Sequence, residues 1–400
     1  MYSSRGLRLI LTILSCSLQL QLSSSPNGVA TKSKALTCLL ISYEVPFKVS
    51  KNKYCYYIIK VTEMNKEKII EIIEKRITNK TIKTKYFSYI ENCYAKNIPI
   101  IFNLDHFQII LGIKNEIILS ILFSDKYYRE FTIPKRNGKL RKIDSPYPVL
   151  LMIQRWILDN ILSTIVLNNA ATGFIKNKSI KDNAFAHIGK KCLLKMDIKD
   201  FFPSISLNRI ICIFKNLGYP HKISYFLAKL CCKDNCLPQG APTSPYISNI
   251  IAKRLDIRLT ALSKKCNLAY TRYADDIAFS GDYISSEYIK FVYKIIIDEG
   301  FIPNCEKTKL VIGNGKKIVT GLSISNDKLT IPRKKKRELR KNAYYVLLNG
   351  LEKYSQITKK YDPIFLERLI GKYTFWKFIE PDNEHVIITL NKLVKYSNEL

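Results

Sequence analysis

The chain has 400 residues, with 65 Lys or Arg against 33 Asp or Glu, and its formal charge is therefore +32. This excess favours a polyanionic partner such as RNA, DNA or an anionic membrane surface; AT-rich coding would explain Lys in place of Arg but not the shortage of acids. No stretch is long enough to span a membrane, and the eleven cysteines lack paired zinc spacing, which argues against a membrane-embedded protein and a zinc centre.

The first 36 residues differ in composition from the rest of the chain. Arg5 and Arg8 precede a short apolar run followed by serines, an arrangement similar to a weak secretory signal. Ser and Gln interrupt the run, however, and no clear small-x-small cleavage site follows it. We therefore interpret residues 1–36 as a disordered or misassigned leader and expect a cytoplasmic protein with reduced thiols. Residues 37–97 are interpreted as an N-terminal extension.

Helical periodicity dominates the chain up to about residue 162, with one exception. An amphipathic helix is predicted in "NKEKIIEIIEKRI" from residue 65, and two short helices broken near Gly112 are predicted over 103–123. In the segment 128–146, by contrast, residues alternate as in β-strands on both sides of "RNGK". The Asn-Gly pair of this sequence is typical of a β-hairpin turn. Residues 148–162 again predict a helix.

Strands and helices alternate in the following part of the chain. "KCLLKMDIKDFF" (191–202) begins as a buried strand, and "SLNRIICIFKNLGY" and "ISYFLAKLCC" predict helices. One long helix is predicted over 244–266, and "YTRYADDIAFSG" (270–281) predicts two strands that flank adjacent aspartates. The order β-α-β-β-α-β indicates an α+β fold of the split βαβ kind. After residue 331 the pattern is mostly helical.

Asp275 and Asp276 are adjacent in the sequence, so their two negative charges need an explanation. A solvated turn, where Asp is common, explains a bare "DD", but the long apolar flanks predict a buried hairpin whose carboxylates repel each other unless a cation is present. Asp197 also follows an apolar strand, and if that strand pairs with the 268–273 strand, Asp197 and Asp275 face each other across the sheet edge. Carboxylate oxygens suit Mg²⁺, and two ions about 4 Å apart would support nucleotidyl transfer.

These segments resemble the motifs of reverse transcriptases. "YADD" (273–276) resembles the [YF]xDD motif, "LKMDIKDFFPSI" (194–205) resembles motif A, and "LPQGAPTSP" (237–245) resembles motif B. The resemblance implies an RNA-directed DNA polymerase with a right-hand architecture of fingers, a palm with a split βαβ sheet, and a helical thumb. It assigns residues 98–330 to the fingers and palm and residues 331–400 to the thumb.

The resemblance also implies roles for individual residues. Asp197, Asp275 and Asp276 would hold two Mg²⁺ ions, with Asp276 acting less directly. Phe202 would lie under the sugar and exclude a 2′-hydroxyl, and Lys307 could protonate the leaving pyrophosphate. The candidate contacts to the incoming deoxynucleoside triphosphate (dNTP) are Lys135, Arg141, Asp200, Phe202, Gln239 and Lys307. A basic surface hairpin and a charged surface turn are the alternative interpretations of Lys135, Arg141 and Lys307.

Two further signatures resemble the retron type of these enzymes, namely "NAFAH" (183–187) and "VTG" (319–321). They imply a structured non-coding RNA as both primer and template, a small cDNA product and a role in antiphage defence, in which an accessory effector protein could take part. No membrane partner is expected. The candidate nucleic-acid contacts are Asn183, His187, Arg333, Lys334, Lys335, Lys336 and Arg337. A catalytic base and a structural residue are the alternative interpretations of His187. For residues 333–337, the alternatives to a thumb helix on the template–primer backbone are a solvated helix face and an apparent nuclear-localisation string.

Two other classes of protein remain open from the sequence. One is a group II intron maturase, although the roughly 70 residues after position 331 are few for a thumb plus a maturase region. The other is a non-catalytic RNA-binding protein on a polymerase fold, against which stands the presence of Asp197, Asp275 and Asp276.

Overall fold

The computed structural model describes residues 66–134, 138, 140–324, 328–358 and 362–399. The predicted leader, residues 37–65 of the predicted extension, and Lys135 lie outside the described residues. The chain divides into two units, of which the first combines the described part of Met1–Val166 with Ile205–Ile247. The second unit combines Leu167–Ser204 with the described part of Ser248–Leu400.

The described elements follow one another in this order. The chain begins with α1 (Lys66–Arg76), α2 (Lys80–Ala95), α3 (Leu104–Leu111), α4 (Asn115–Phe123), β1 (Tyr128–Pro134), β2 (Leu140–Pro146) and α5 (Pro148–Asn160). It continues with α6 (Ile180–Phe185), β3 (Cys192–Lys199), α7 (Leu207–Leu217), α8 (His221–Leu230), α9 (Ser244–Ile251) and α10 (Lys253–Lys265). It ends with β4 (Ala269–Tyr273), β5 (Asp276–Gly281), α11 (Ser286–Asp298), β6 (Ile302–Pro303), β7 (Lys309–Ile312), β8 (Ile318–Val319), β9 (Leu322–Ser323), α12 (Arg333–Thr358), α13 (Phe365–Ile379) and α14 (Glu384–Asn398).

The helices predicted around Gly112 are confirmed as α3 and α4. Gly112 ends α3 in the left-handed conformation (φ +65°), which a glycine adopts without a Cβ penalty, and its N–H donates to the Gln108 and Ile109 carbonyls. Within the described residues no single helix is long and apolar enough to cross a membrane. The pair α3 and α4 passes that test only together and is bent by 112°.

The predicted hairpin of the first unit is confirmed as β1 and β2. The strands pair antiparallel from Tyr128 opposite Pro146 to Pro134 opposite Leu140, and the turn residues 135–137 and 139 lie outside the described residues. Tyr128, at the base, is buried, whereas the other residues of β1 are exposed. β1 is therefore buried at the base of the hairpin and exposed towards its tip.

The second unit contains a sheet with the strand order β4-β5-β3-β6, in which β7 also pairs with β3. The α+β class and the strand–helix order expected from the sequence are confirmed. The expected pairing of β3 with the 268–273 strand is wrong, because β5 lies between β3 and β4. The physical reason is burial: Ile277–Gly281 of β5 are all buried, as a central strand requires, whereas β4 is partly exposed and lies at the edge.

The single helix predicted over 244–266 is also wrong in detail. Ala252, with φ −77° and ψ −1°, separates α9 from α10. Backbone bonds nevertheless continue through the break, since the Ala252 N–H donates to the Ser248 carbonyl at 2.9 Å and the Asp256 N–H donates to the Ala252 carbonyl at 2.9 Å. The two helices are therefore joined by continuous backbone hydrogen bonds across Ala252.

The helical C-terminal region predicted from residue 331 is confirmed as α12, α13 and α14. These helices share a hydrophobic core that includes Val346, Tyr373, Trp376 and Val386. The same core continues to Leu193 of β3 and Ala278 of β5. The helices are thus packed into the second unit through the sheet that carries the aspartates.

Candidate active site

The pairing of β3 with β5 brings two of the predicted acidic residues together. Asp197 and Asp276 are Cα partners at the end of the ladder, so they lie directly opposite each other on neighbouring antiparallel strands. The Ile198 N–H donates to the Asp275 carbonyl at 3.1 Å and extends the contact by one residue. The register therefore places Asp197 opposite Asp276, whereas the sequence predicted Asp275 as its partner.

Asp275 lies in the two-residue turn that joins β4 to β5. Tyr273 and Asp276 close this turn as the last pair of the hairpin, and Ala274 adopts a positive φ of 56°. A non-glycine residue in this region costs about 1–2 kcal/mol, so the turn is strained. Because Asp275 is in the turn, the strict alternation of side chains along a strand does not apply to it.

Burial and the neighbouring negative charges shift the pKa values of these carboxylates. Burial, followed by the charges of Asp276 and Asp197, raises the pKa of Asp275 to about 6. Burial also raises the pKa of Asp276, with Lys195 opposing and Asp197 adding to the shift. Three carboxylates in this arrangement are unfavourable by themselves and would be stabilised by added positive charge.

Lys307 supplies part of that positive charge. Its Nζ lies 2.8 Å from Oδ1 and 2.8 Å from Oδ2 of Asp197, and Asn304 donates to Oδ1 at 3.1 Å. Burial by itself lowers the pKa of Lys307, but the bond to Asp197 and the charges of Asp275 and Asp276 raise it above its ordinary value. Lys307 therefore contacts the predicted metal ligands, and Asn304 is a contact that the sequence did not identify.

The donor set fits a hard divalent cation by its chemistry. Carboxylate oxygens from Asp197, Asp275 and Asp276 are the ligands that Mg²⁺ prefers. In the part of the chain that the structure describes, however, no three His, Cys, Asp or Glu side chains are already close enough to hold an ion. Lys307 occupies both oxygens of Asp197 instead, so a metal would have to take its place there.

A buried charged network that the sequence did not identify supports the turn. Arg272 is fully buried, and its guanidinium donates to both carboxylate oxygens of Asp256 at 2.7 Å. It also donates to the Ala274 carbonyl at 3.0 Å and to the Asn249 side chain at 3.1 Å. The signal available in the sequence was an arginine inside a predicted strand, three residues before Asp275.

Phe202 and Asp200 follow β3 in the same unit. Phe202 is half-buried, with its ring 5.6 Å from that of Phe201 and 6.4 Å from that of Phe174. The Phe174 ring in turn lies 5.9 Å from that of Tyr273, so an aromatic cluster adjoins the turn. Asp200 is exposed and has a positive φ of 46°.

The other predicted nucleotide contacts belong to the first unit. Arg141 is exposed on β2, and Lys135 lies outside the described residues. Gln239 is half-buried, and its carbonyl accepts from the Asp144 N–H at 2.8 Å. Gly240, at φ +136°, follows, and a Cβ there would lie 2.7 Å from the Asp144 carbonyl oxygen, so this close approach requires glycine.

Asn183 and His187 are in the protein interior, with 2% and 0% of their surface exposed. The His187 ring nitrogens lie 2.7 Å from the Ser280 hydroxyl and 2.8 Å from the Thr271 hydroxyl. Asn183 accepts from the Thr172 hydroxyl at 3.0 Å. Both side chains are buried and bonded to protein groups, which favours a structural role, and the nucleic-acid contact predicted for them stays a prediction.

Burial of His187 leads to an expected pH dependence of stability. Burial lowers the pKa of His187 to about 4 from its ordinary value of 6.5. The unfolded chain therefore binds the proton first, and the contribution to stability is complete above pH 6.5 and is lost as the pH falls towards 4, by roughly 3 kcal/mol in total. Denaturant unfolding of the wild type and His187→Gln between pH 7 and 4 should show a shallower slope for the variant.

A matched control for this measurement is His221→Gln. His221 is exposed at the start of α8, so its substitution should leave the slope unchanged. A wild-type slope equal to that of His187→Gln would contradict the assignment of a neutral, buried histidine. His106, whose pKa burial also lowers to about 4, contributes equally to all three proteins and cancels in the comparison.

The predicted basic cluster lies in the first turns of α12. Arg333, Lys334, Lys335 and Arg337 are exposed. Lys336 is different, because its Nζ lies 2.7 Å from Oε1 of Glu380 and 5.6 Å from the centre of the Trp376 ring. Lys336 thus attaches α12 to α13, and four of the five predicted contacts face solvent.

The sequence is similar to that of known reverse transcriptases. Residues 133–342 match the family model described as reverse transcriptase (RNA-dependent DNA polymerase). The chain is 35% identical over 270 residues to the retron Ec86 reverse transcriptase of Escherichia coli, covering 66% of this chain and 84% of that protein. It is 34% identical over 235 residues to the retron Mx65 reverse transcriptase of Myxococcus xanthus, covering 54% of this chain and 55% of that protein. Among solved structures, telomerase from Candida albicans in complex with a telomeric RNA fragment matches with a TM-score of 0.37 and 12% identity, over 66% of this chain and 62% of that one.

Proposed function

The chain belongs to the bacterial retron-type reverse transcriptases and is an RNA-directed DNA polymerase, and from this premise we propose that it copies a structured non-coding RNA into cDNA by nucleotidyl transfer with two Mg²⁺ ions. The observation that carries the mechanism is the meeting of Asp197, Asp275 and Asp276 at one end of the sheet, where burial, followed by the charges of Asp276 and Asp197, raises the pKa of Asp275. Such a cluster is stabilised by cations that also bind substrate phosphates.

The three aspartates have distinct places in the proposed mechanism. Asp197 and Asp275 serve as direct metal ligands, and Asp276, opposite Asp197, acts less directly. When bound, the metal ions held by these aspartates would activate the attacking 3′-hydroxyl and stabilise the leaving pyrophosphate. Lys307 is released from Asp197 as the site fills and is then available, still protonated, to give a proton to the leaving group. A lysine is ordinarily protonated at neutral pH, and the protonated amine is the form that can donate.

Nucleotide contacts are proposed within each unit separately. In the second unit Phe202 meets the sugar and Asp200 lies near the phosphates or supports the loop. In the first unit Arg141 on β2 binds phosphate as a bidentate donor, Lys135 acts as a point charge, and Gln239 shapes the pocket. These roles rest on the resemblance of the surrounding segments to reverse transcriptase motifs.

The exposed basic residues at the start of α12 are proposed to hold nucleic acid. Arg333, Lys334, Lys335 and Arg337 present four charges on one helical segment. Contacts of this type bind the phosphate backbone of any sequence and weaken as salt increases. Lys336 is left out of this set because Glu380 holds it.

Phe202→Ala is expected to relax discrimination against ribonucleotides by roughly 10- to 100-fold, because the half-buried ring would no longer overlap a 2′-hydroxyl. The measurement is the ratio of kcat/KM for a dNTP to that for the matching ribonucleotide. Phe291→Ala, on the exposed face of α11, serves as control and should leave the ratio unchanged. An unchanged ratio for Phe202→Ala would remove the steric role from this residue.

Primer extension by the purified wild type on RNA and DNA templates of the same sequence tests the proposed function. We expect extension on RNA that stops when the metal is chelated and resumes when Mg²⁺ is added. Failure to extend any primer on RNA, including RNA that co-purifies with the protein, would overturn the proposal. Restoration of activity without added divalent metal would overturn the metal mechanism alone.

Sequencing of co-purified RNA decides the nature of the template. One structured non-coding RNA that also primes synthesis would support the retron assignment, whereas intron RNA would favour the maturase alternative. We further propose the antiphage role that the retron resemblance implies. Equal phage sensitivity of cells with and without the gene would contradict that role.

A further inference from the structure

Lys233 of the first unit is a buried lysine that has no place in the mechanism above. Only 4% of its surface is exposed. It lies in a tight turn, in which the Lys233 N–H donates to the Cys236 carbonyl and the Cys236 N–H donates to the Lys233 carbonyl, both at 3.0 Å. Asp234 and Asn235, the two residues between them, have positive φ of 50° and 57°, as a two-residue hairpin turn requires. The turn thereby fixes the backbone from which the lysine extends.

The ammonium group of Lys233 bridges the two strands of the β1–β2 hairpin. It donates to Oδ1 of Asp144 on β2 at 2.6 Å and to Oε1 of Glu130 on β1. Glu130 and Asp144 are Cα partners in the hairpin register. Like charges directly opposite each other on neighbouring strands are destabilising, so this pair requires a cation between its members.

Lys142 approaches the same carboxylates from the solvent side. Its Nζ lies 2.9 Å from Oε2 of Glu130 and 3.9 Å from Oδ1 of Asp144. The Lys142 side chain is 55% exposed, whereas that of Lys233 is 5% exposed. The two lysines thus bind the same acids. Glu130 is 51% exposed and Asp144 is 13% exposed, so among these contacts the one between Lys233 and Asp144 is best shielded from water and salt.

The charges of this bridge persist at neutral pH. Burial by itself lowers the pKa of Lys233, but the hydrogen bonds that it donates to Asp144 and Glu130 raise the pKa above its ordinary value. The bond from Lys233, followed by that from Lys142, lowers the pKa of Glu130 to about 2. A buried ion pair of this kind is strongly destabilising when one partner is removed, because the other charge is left without compensation.

The bridge continues to the predicted nucleotide contact Gln239. Asp144, which Lys233 holds through its side chain, donates its backbone N–H to the Gln239 carbonyl at 2.8 Å. Gly240 closes the same contact from the other side, since a Cβ there would meet the Asp144 carbonyl oxygen at 2.7 Å. One residue, Asp144, therefore joins the hairpin base, the buried lysine and the Gln239 backbone.

We propose that Lys233 is a positioning residue for nucleotide binding, which holds the base of the β1–β2 hairpin and, through Asp144, the backbone of Gln239. The proposal rests on the proposed function, in which Arg141 of this hairpin and Gln239 contact the incoming dNTP. Lys233 itself does not touch the nucleotide. It removes the repulsion between Glu130 and Asp144 and thereby keeps the hairpin in one orientation before the nucleotide arrives.

Steady-state primer extension tests this role with three variants. Lys233→Met keeps the length of the side chain and removes its charge, Lys233→Arg keeps the charge, and Lys142→Met removes the solvent-side partner of the same Glu130. The dNTP KM, kcat, the Kd for primer–template and Tm are measured for each. Asp144→Asn, which keeps the shape of the side chain and one hydrogen-bond acceptor, replaces Lys233→Met in the test if Lys233→Met does not fold.

We expect Lys233→Met to raise the dNTP KM by about 10-fold or more, with kcat changed by less than about 3-fold and the primer–template Kd unchanged. Lys233→Arg should recover most of the loss, and Lys142→Met should change the KM by less than about 2-fold because its ion pairs are exposed. Asp144→Asn should raise the KM by about 5-fold, as expected when a charged hydrogen bond becomes neutral. The triple variant Lys233→Met, Glu130→Gln, Asp144→Asn removes both carboxylates as well as the lysine. It should regain part of the dNTP affinity, because the repulsion between the two acids is gone.

Two results would overturn the positioning role. One is a wild-type dNTP KM in Lys233→Met or Asp144→Asn; the other is a parallel fall of kcat, dNTP affinity and primer–template affinity that follows the folded fraction. A wild-type protein that extends no primer on RNA would instead refute the proposed function. The activity of the wild type tests the proposed function, and the variants test the positioning role of Lys233. The two failures are therefore distinguishable.

Discussion

Asp275→Asn is expected to lower the rate of primer extension on RNA by roughly 10³-fold or more, because a metal ligand that contributes several kcal/mol to the transition state is lost. Asparagine has the same shape as aspartate but carries no charge. The measurement is single-turnover incorporation of one dNTP at saturating primer–template. Extension at more than about a tenth of the wild-type rate would contradict a role as direct ligand.

The same substitution is not expected to destabilise the protein. The folded pKa of Asp275 is raised to about 6 from 3.8, so the charged form opposes folding once the pH has risen through that range. At pH 7 in the absence of metal, Asp275→Asn should therefore unfold at the wild-type Tm or above it. Added Mg²⁺ should raise the Tm of the wild type and much less that of the variant, because only the folded wild type binds it well.

Asp282→Asn is the matched control for Asp275→Asn. Asp282 follows the other end of β5, its side chain is 76% exposed, and its partner Lys191 lies 3.9 Å away. The same loss of one charge near the same strand should leave both the rate and the metal-dependent rise in Tm unchanged. Loss of activity in the control would show that net charge, and not the carboxylate at 275, determines the rate.

Arg272→Met is expected to cost about 3–5 kcal/mol of unfolding free energy, because it leaves Asp256 charged and buried without its partner. The substitution also removes the donors to Asn249 and to the Ala274 carbonyl. Denaturant unfolding at pH 7 measures the loss. A loss below about 1 kcal/mol would mean that the buried pair is replaced by water or by rearrangement.

A second substitution separates stability from positioning. Arg272→Met with Asp256→Leu replaces the ion pair by apolar side chains and should recover part of the stability, since such replacements are often close to neutral. Activity should stay low in the double variant, because the carbonyl of the strained residue Ala274 is still without its donor. Recovery of activity together with stability would show that Arg272 acts on folding alone.

Arg258→Met provides the comparison for Arg272→Met. Arg258 pairs with Asp298 at 2.9 Å and with Glu299 at 2.8 Å, but its side chain is 33% exposed. Exposed pairs contribute little in comparison with buried ones, so a much smaller loss of stability is expected. Equal losses at both positions would remove burial as the explanation.

The sequence predicted the local elements and the acidic residues well, for physical reasons. Apolar spacing determines which face of a helix or strand is buried, as the confirmed elements α1, α3, α4 and the β1–β2 hairpin show. Aspartates directly after apolar strands are unusual enough to stand out, which is why Asp197, Asp275 and Asp276 were identified. Their roles as ligands remain a prediction that the Asp275→Asn measurement addresses.

The partners of buried charges could not be predicted from the sequence. Asp256, Lys233 and Arg272 have partners 16 to 103 positions away along the chain, and their spacing contains no periodic signal. The burial of His187 also came from the structure, because a sequence motif does not show whether a histidine lies inside the protein or on its surface. Long-range pairing of this kind depends on which strand lies beside which, and that is a property of the whole fold.

The sequence by itself determined the composition of the site: three carboxylates for a cation, an excess of basic residues for a polyanion, and motifs that resemble reverse transcriptases. Only the tertiary structure decided that β5 lies between β3 and β4, which makes Asp276 and not Asp275 the partner of Asp197. It also decided that Arg272 supports the turn and that Lys233 joins the hairpin to Gln239. The physical reason is that side-chain periodicity encodes which face of an element is buried, whereas strand order and the neutralisation of buried charge depend on contacts between distant segments.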